Sequence, residues 1–173
     1  MDAMQAMLTR KSVKKYKPDM VPKELIEQII AAGLNAPSGL NKQSPIILAV
    51  TDRQVRDELS KLNAGKDPFF RSDPFYGAPV VLVVLADKSV PTHVYDGSLV
   101  MENLQLAAHA LGLGACWIHR AKEVFEKDEW KMWLKEIGIE DECIGIGNLA
   151  VGYTDGDSPA PKEILEGRCY YVD

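Results

Sequence analysis

The sequence has no Gly-x-Ser-x-Gly elbow, no Walker phosphate loop and no Cys-x-x-Cys pair. Those absences remove the usual signatures of serine hydrolases, P-loop nucleotidases and dithiol redox proteins. Its three histidines, His93, His109 and His119, lack the close spacing of a metal-binding pair on one helix, so no metal site is expected. No Gly-x-Gly-x-x-Gly follows the first strand-like stretch. Gly112-Leu113-Gly114 is a partial match, but it precedes a strand and not a helix, which is the wrong context for dinucleotide binding. Three cysteines, Cys116, Cys143 and Cys169, are odd in number and widely spaced. That suits reduced thiols and a cytoplasmic location, not a disulfide frame. No apolar run approaches the roughly 20 residues of a membrane span. Met1 to Thr9 carries Asp2 and no basic segment, so it does not read as a signal peptide. Catalysis by side-chain nucleophiles or acid–base pairs therefore has little support, and a cofactor that carries the reaction fits better.

What is present is binding equipment. The chain has 173 residues, 46% hydrophobic and 26% charged, with a net charge of −5. One domain over 1–173 with a substantial core is expected, and the acidic balance argues against general nucleic-acid binding. Against that balance stands Arg10 to Lys17, with five positive residues in eight and no acid; the rest of the chain carries 15 basic and 25 acidic residues. In an extended conformation Arg10, Ser12 and Lys14 point to one side. A guanidinium fork, a hydroxyl and an ammonium on one face suit a phosphate. A solvated basic segment is the alternative reading.

Along the chain, a short helix over Asp2 to Thr9 precedes the basic run, and Pro22 opens a helix to about Leu34. Asn35 to Pro45 is a loop rich in turn formers, and its Ser38, Asn41 and Gln43 can hydrogen-bond a heterocycle. A plain helix-to-strand connector is the alternative. Ile46 to Thr51 reads as a strand, and Asp52 caps a helix to about Leu62. Asn63 to Gly77 is irregular and carries Phe69, Phe70, Phe75 and Tyr76, which either pack over the core or line a pocket entrance. Val80 to Ala86 is a strand buried on both faces. Thr92 to Leu111 is a long helix, apolar over most of its circumference. Packing against a second subunit would bury every side of it, and Asp96, Glu102, Gln105 and His109 would need partners there. Ala115 to Ile118 is a short strand, Glu123 to Ile137 a helix, and Ile144 to Tyr153 a strand whose Gly145 and Gly147 indicate close backbone approach. Cys169 to Val172 is a terminal strand candidate.

Four segments, in this order, resemble the nitroreductase family of flavoproteins. They are Arg10-Lys11-Ser12-Val13-Lys14; Ala36-Pro37-Ser38-Gly39-x-Asn41-x-Gln43; Asn103-Leu104-x-Leu106-Ala107-Ala108 running into Gly112 to Ile118; and Pro159-x-Pro161-Lys162 followed by Arg168. The resemblance implies an α+β fold, with a central mixed β-sheet flanked by helices, dimeric with an exchanged C-terminal segment. It implies FMN as cofactor and NAD(P)H as electron donor. The activity would be ping-pong hydride transfer through flavin N5 to a nitroaromatic, quinone or related acceptor. A reductive dehalogenase, a flavin-consuming enzyme and a non-catalytic flavin-binding or redox-sensing protein are the alternatives.

Residue by residue, the resemblance assigns Arg10, Lys11, Ser12 and Lys14 to the phosphate, ribityl chain and pyrimidine edge. Pro37, Ser38, Gly39, Asn41 and Gln43 would approach the flavin from the other subunit. Gly112, Leu113, Gly114, Ala115 and Cys116 would set backbone groups beside the ring. Lys162, or alternatively Arg168, would be the C-terminal phosphate ligand. The chain is short for the family between Asn63 and Gly77, so no substrate-recognising or catalytic side chain is carried over.

Overall fold

The computed structural model describes residues 1–65, 73–140, 142–156, 159–160 and 162–172. Helix α1 spans Ala3–Thr9 and is capped by the Asp2 carboxylate, which accepts the Gln5 N–H at 2.8 Å. Helix α2, Lys23–Leu34, follows Pro22 and turns Ile26 and Ile29 inward. Strand β1 is Pro45–Val50. Helix α3, Arg53–Ala64, is capped by Asp52, whose carboxylate takes the N–H groups of Gln54 and Val55. Strand β2, Val80–Asp87, leads to helix α4, His93–Ala110. Strand β3 is Gly114–Ile118, helix α5 Ala121–Phe125, helix α6 Asp128–Glu136, and strand β4 Cys143–Gly152.

The four strands pair antiparallel in the order β1-β2-β4-β3. Ser12 adds an isolated parallel bridge to Ala115 on the outer side of β3; the sheet itself is antiparallel, not the mixed sheet expected. Strand β2 is apolar from Val80 to Ala86 because helices cover both sheet faces. Side chains alternate along a strand, so Val81, Val83 and Leu85 join Leu59, Phe75, Phe125 and Trp130 in one core. Val80, Leu82 and Val84 join Ile29, Met101, Leu104 and Ala108 in the other. Helices α2 and α4 cross closely in that second core: a Cβ added to Gly33 would lie 2.6 Å from Leu104 Cδ2.

Two further expectations need correction. The helix expected over Glu123 to Ile137 is two helices, broken at Lys127, which is extended (φ −73°, ψ 140°). The break lets Phe125 and Trp130 both reach one core, where their rings meet edge-on at 5.2 Å. Cys169 to Val172 forms no strand in this chain, and Tyr170, Tyr171 and Val172 are exposed. Helix α4 carries apolar residues beyond the side that faces this chain's core. Met101, Leu104 and Ala108 are fully buried, whereas Val94, Tyr95 and Leu99 remain exposed.

The close approach expected at Gly145 and Gly147 is real, but the chain itself makes it. The Ala121 backbone would collide with a Cβ at Gly145, and the Trp117 indole with one at Gly147. Of the four loop aromatics, Phe75 is fully buried beneath the Arg56 guanidinium at 5.4 Å. Phe69 and Phe70 lie outside the described residues. Among the described residues no helix is long and apolar enough to cross a membrane.

Candidate cofactor site

The basic run is held along the open side of β3 and the end of β4. The Val13 N–H donates to Ala115 O at 3.0 Å, Lys17 N–H to Tyr153 O at 2.9 Å, and Asp155 N–H to Lys15 O at 3.1 Å. Two side chains, Val13 and Tyr16, point into the core. The Tyr16 hydroxyl donates to Val13 O at 2.8 Å, and burial, with Cys116 and Tyr76 nearby, raises its pKa far above the phenol range. Anchored by those two, the run leaves Ser12 and Lys14 exposed. Gly114 is required for this docking: a Cβ there would lie 2.9 Å from Val13 Cβ and 2.8 Å from Thr154 Oγ1.

Burial pushes the Cys116 thiol up, opposed by a hydrogen bond with Ser12 and by the charges of Lys14 and Arg10. Arg10 is oriented from α4, donating to Gln105 Oε1 at 3.3 Å with Glu102 at 3.7 Å. Lys11 Nζ donates to Pro159 O at 2.6 Å.

Helix α4 ends in a Schellman motif, with the Gly112 N–H on His109 O and the Leu113 N–H on Ala108 O. Gly112 takes φ +79°, and nothing lies within 4 Å of the position a Cβ would occupy. A cleft of about 240 Å³ opens here, lined by Arg10, Lys11, His109, Gly112, Leu113 and Ala115, among others. Another hollow of about 160 Å³, between Lys88, Lys131 and Glu142, contains none of the expected site residues.

The second expected group sits elsewhere. Pro37 to Gln43 passes through a short 3-10 turn, Gly39–Asn41, in which Leu40, Asn41 and Gln43 all have φ near +50°. That conformation is unfavourable for residues with side chains. It is held by Asp96, which is 3% exposed. Its Oδ1 accepts the Gly39 N–H at 3.0 Å, and its Oδ2 accepts the Thr92 hydroxyl at 2.8 Å and the Ser44 hydroxyl at 3.5 Å. Ser38 Oγ accepts the Gln43 N–H, and the Gln43 amide donates to Asn41 Oδ1. Leu40 is 93% exposed at the tip.

The structure thus gathers the expected site residues into two groups. Asp96 supports one group near the start of α4, and His109 adjoins the other near its end. At 1.5 Å per residue those two positions are about 20 Å apart. Lys162 and Arg168 join neither group: both are exposed and make no hydrogen bond or ion pair among the described residues. Pro161 lies outside the described residues.

The polar residues expected to find partners across an interface find them within the chain. Asp96 holds the loop, Gln105 and Glu102 orient Arg10, and His109 Nε2 lies 2.8 Å from Thr9 Oγ1. Sequence reasoning missed Asp96 and His109 as site-supporting residues. Their signal was polarity on a mostly apolar helix, which marks a need for partners without naming them.

The family model described as the nitroreductase family matches residues 7–153. The chain belongs to the nitroreductase family. A relative from Methanothermobacter thermautotrophicus, provisionally named NADH dehydrogenase/NAD(P)H nitroreductase, is 32% identical over 96% of this chain and 84% of its own length. Among solved structures, a nitroreductase with bound FMN from Bacteroides fragilis superposes with a TM-score of 0.86 over 100% of both chains, at 22% identity. An FMN-dependent nitroreductase from Clostridium difficile is 26% identical, with a TM-score of 0.79 over 98% of this chain and 99% of its own. The antiparallel sheet with helices on both faces is therefore the nitroreductase fold.

Proposed function

We propose that residues 1–173 form one nitroreductase-like domain acting as an FMN-dependent NAD(P)H oxidoreductase, a homodimer with two composite flavin sites. The observation that carries this reading is the cleft at the end of α4. There two family segments far apart in sequence, contributing Arg10 and Lys11 and then Gly112, Leu113 and Ala115, line one hollow in a chain that belongs to this family.

The donor set fits FMN. Arg10 and Lys11 can hold a phosphate dianion, for which charge-assisted bonds are the strong kind. Ser12 and Lys14 are exposed on the same side to meet the flavin's polar pyrimidine edge. The open space over Gly112 admits a planar ring close to the backbone, which a side chain there would obstruct. Bound FMN supplies reversible two-electron chemistry at its ring. This chain's residues bind and orient it, and Lys14 lowers the energy of negative charge at the pyrimidine edge through a short-range interaction. No acid or base is required of a side chain, and electron donor and acceptor use one open pocket in turn.

A single chain keeps Pro37, Ser38, Gly39, Asn41 and Gln43 too far from the cleft to share a ligand with it. A second copy resolves this. Tyr95, Leu99 and Glu102 form an exposed stripe along α4 at helical spacing. Two such helices packed together would bring one chain's loop to the other's cleft. The exposed Ile164, Leu165, Tyr170, Tyr171 and Val172 suit a tail that lies on the partner, carrying Lys162 or Arg168 to a phosphate.

The visible absorption spectrum of the purified protein tests the reading, taken with FMN and then with NAD(P)H without oxygen. A flavin spectrum that bleaches and returns with a quinone or nitroaromatic is expected. Absence of bound flavin after reconstitution would overturn the reading.

A further inference from the structure

His109 is a basic group in the cleft with no role in the reading above. It stands on the last turn of α4, where one neutral ring nitrogen can accept a proton. The other nitrogen is already assigned. The Thr9 hydroxyl spends its proton on Gln5 O at 2.6 Å, so at 2.8 Å its oxygen can only accept from His109 Nε2–H. Neutral His109 is therefore the Nε2–H tautomer, and Nδ1 is left to take up a proton.

We propose that His109 couples proton uptake to phosphate-monoester binding in the cleft formed with Arg10, Lys11 and Gly112. The inference rests on the FMN reading given above. The cleft around the imidazole is lined by Thr9 and Met1 from the α1 side, Arg10 and Lys11 from the basic run, and Gln105 on α4, with Glu102 paired to Arg10. Burial first, and then the charges of Arg10 and Lys11, hold its proton affinity below the ordinary histidine value. A phosphate dianion between Arg10 and Lys11 reverses the second influence and adds its own attraction. The bound state then holds a proton that the free state lacks. The sign follows: His109 favours binding most at low pH, and its contribution fades as pH rises through the bound-state value. Its position at a helix C-terminus also favours the charged ring.

Isothermal titration of the full chain at pH 7 with FMN, in buffers of low and high ionisation enthalpy, reads the proton directly. Net proton uptake is expected with FMN and none with riboflavin, which lacks the phosphate. His109→Gln keeps a donor for Thr9 but cannot take the proton. It should abolish the uptake and weaken FMN about tenfold at pH 6 but less than about twofold at pH 8.5, with riboflavin affinity unchanged. Parallel pH profiles for the two proteins would overturn the proposal.

A second measurement needs no variant. With three histidines in the chain, NMR titration follows His109 in the native protein, and its midpoint should rise by about one pH unit with FMN but not with riboflavin. An unmoved midpoint overturns the inference alone. FMN bound no more tightly than riboflavin at any pH removes the phosphate subsite itself, and flavin that does not bind at all removes the wider reading.

Discussion

Replacing Asp96 by asparagine removes the charge on which the loop before β1 depends. The carboxylate is 3% exposed and receives the Gly39 N–H at 3.0 Å and the Thr92 hydroxyl at 2.8 Å, with Ser44 more distant. Hydrogen bonds to a charged group contribute about 1.5–3 kcal/mol each. Asparagine keeps one acceptor oxygen for Gly39 and turns an N–H2 towards two hydroxyls that can reorient to accept. About one charged bond is lost, or roughly 2 kcal/mol. In a chain of this size each kcal/mol lowers Tm by about 2–4 °C, so a fall of about 4–8 °C is expected. The bond weakened is one that fixes Asp96 against Thr92 and Ser44, and with it the anchor of a loop whose Leu40, Asn41 and Gln43 stand at positive φ; left-handed backbone at such residues costs on the order of 1 kcal/mol or more each. The loop should therefore relax before the core does. Amide exchange at Gly39 to Gln43 should quicken while Val80 to Ala86 stays protected, and FMN affinity should fall. A variant with unchanged Tm and unchanged exchange at Gly39 would refute the assignment of Asp96 as the loop's anchor.

Lys14→Ala should weaken FMN by about tenfold to a hundredfold, the equivalent of one charge-assisted bond, without lowering Tm, since the side chain is exposed; fluorescence titration reads both forms. Mixing Lys14→Ala chains with Asp96→Asn chains and allowing subunits to exchange should restore one full-affinity flavin site per mixed dimer, whereas a site built from one chain would gain nothing. Burial alone would raise the Asp73 pKa, but the Arg56 guanidinium, the Ser60 hydroxyl and the N–H groups of Phe75 and Gly77 outweigh it and hold it below the carboxylate range. A depressed carboxylate contributes stability above its unfolded pKa of about 3.9. That contribution should disappear as pH falls below about 4, and Asp73→Asn should flatten the acid limb of a Tm-against-pH curve.

The fold was legible where local chemistry and burial agree. Strand β2 is apolar from Val80 to Ala86 because both faces are covered, and the Asp2 and Asp52 caps sit where the sequence places helix starts. Gly112 marks the end of α4 because only a residue without Cβ enters φ +79° freely. Legibility failed where a tertiary contact overrides a continuous pattern. Glu123 to Ile137 reads as one helix by composition, yet Phe125 and Trp130 reach one core only if the chain breaks between them. The tail reads as a strand by β-propensity, but a strand is defined by its partner, and the tail pairs with none among the described residues.

The same distinction separates the two parts of the candidate site. The basic run was readable because charge contrast and side-chain alternation are properties of the run itself. The role of Asp96 was not, because it depends on Gly39, which lies 57 residues away in sequence. Helix α4 explains why the roles were hard to separate in one dimension. Its first turn fixes the loop through Asp96, its C-terminal half orients Arg10 through Gln105, and its outer stripe of Tyr95 and Leu99 stays uncovered. The polar residues that looked like interface residues support the two groups of candidate site residues within the chain, which are half-sites on the reading proposed above. The apolar residues between them are the surface a second copy would cover, and covering it would bring the half-sites together.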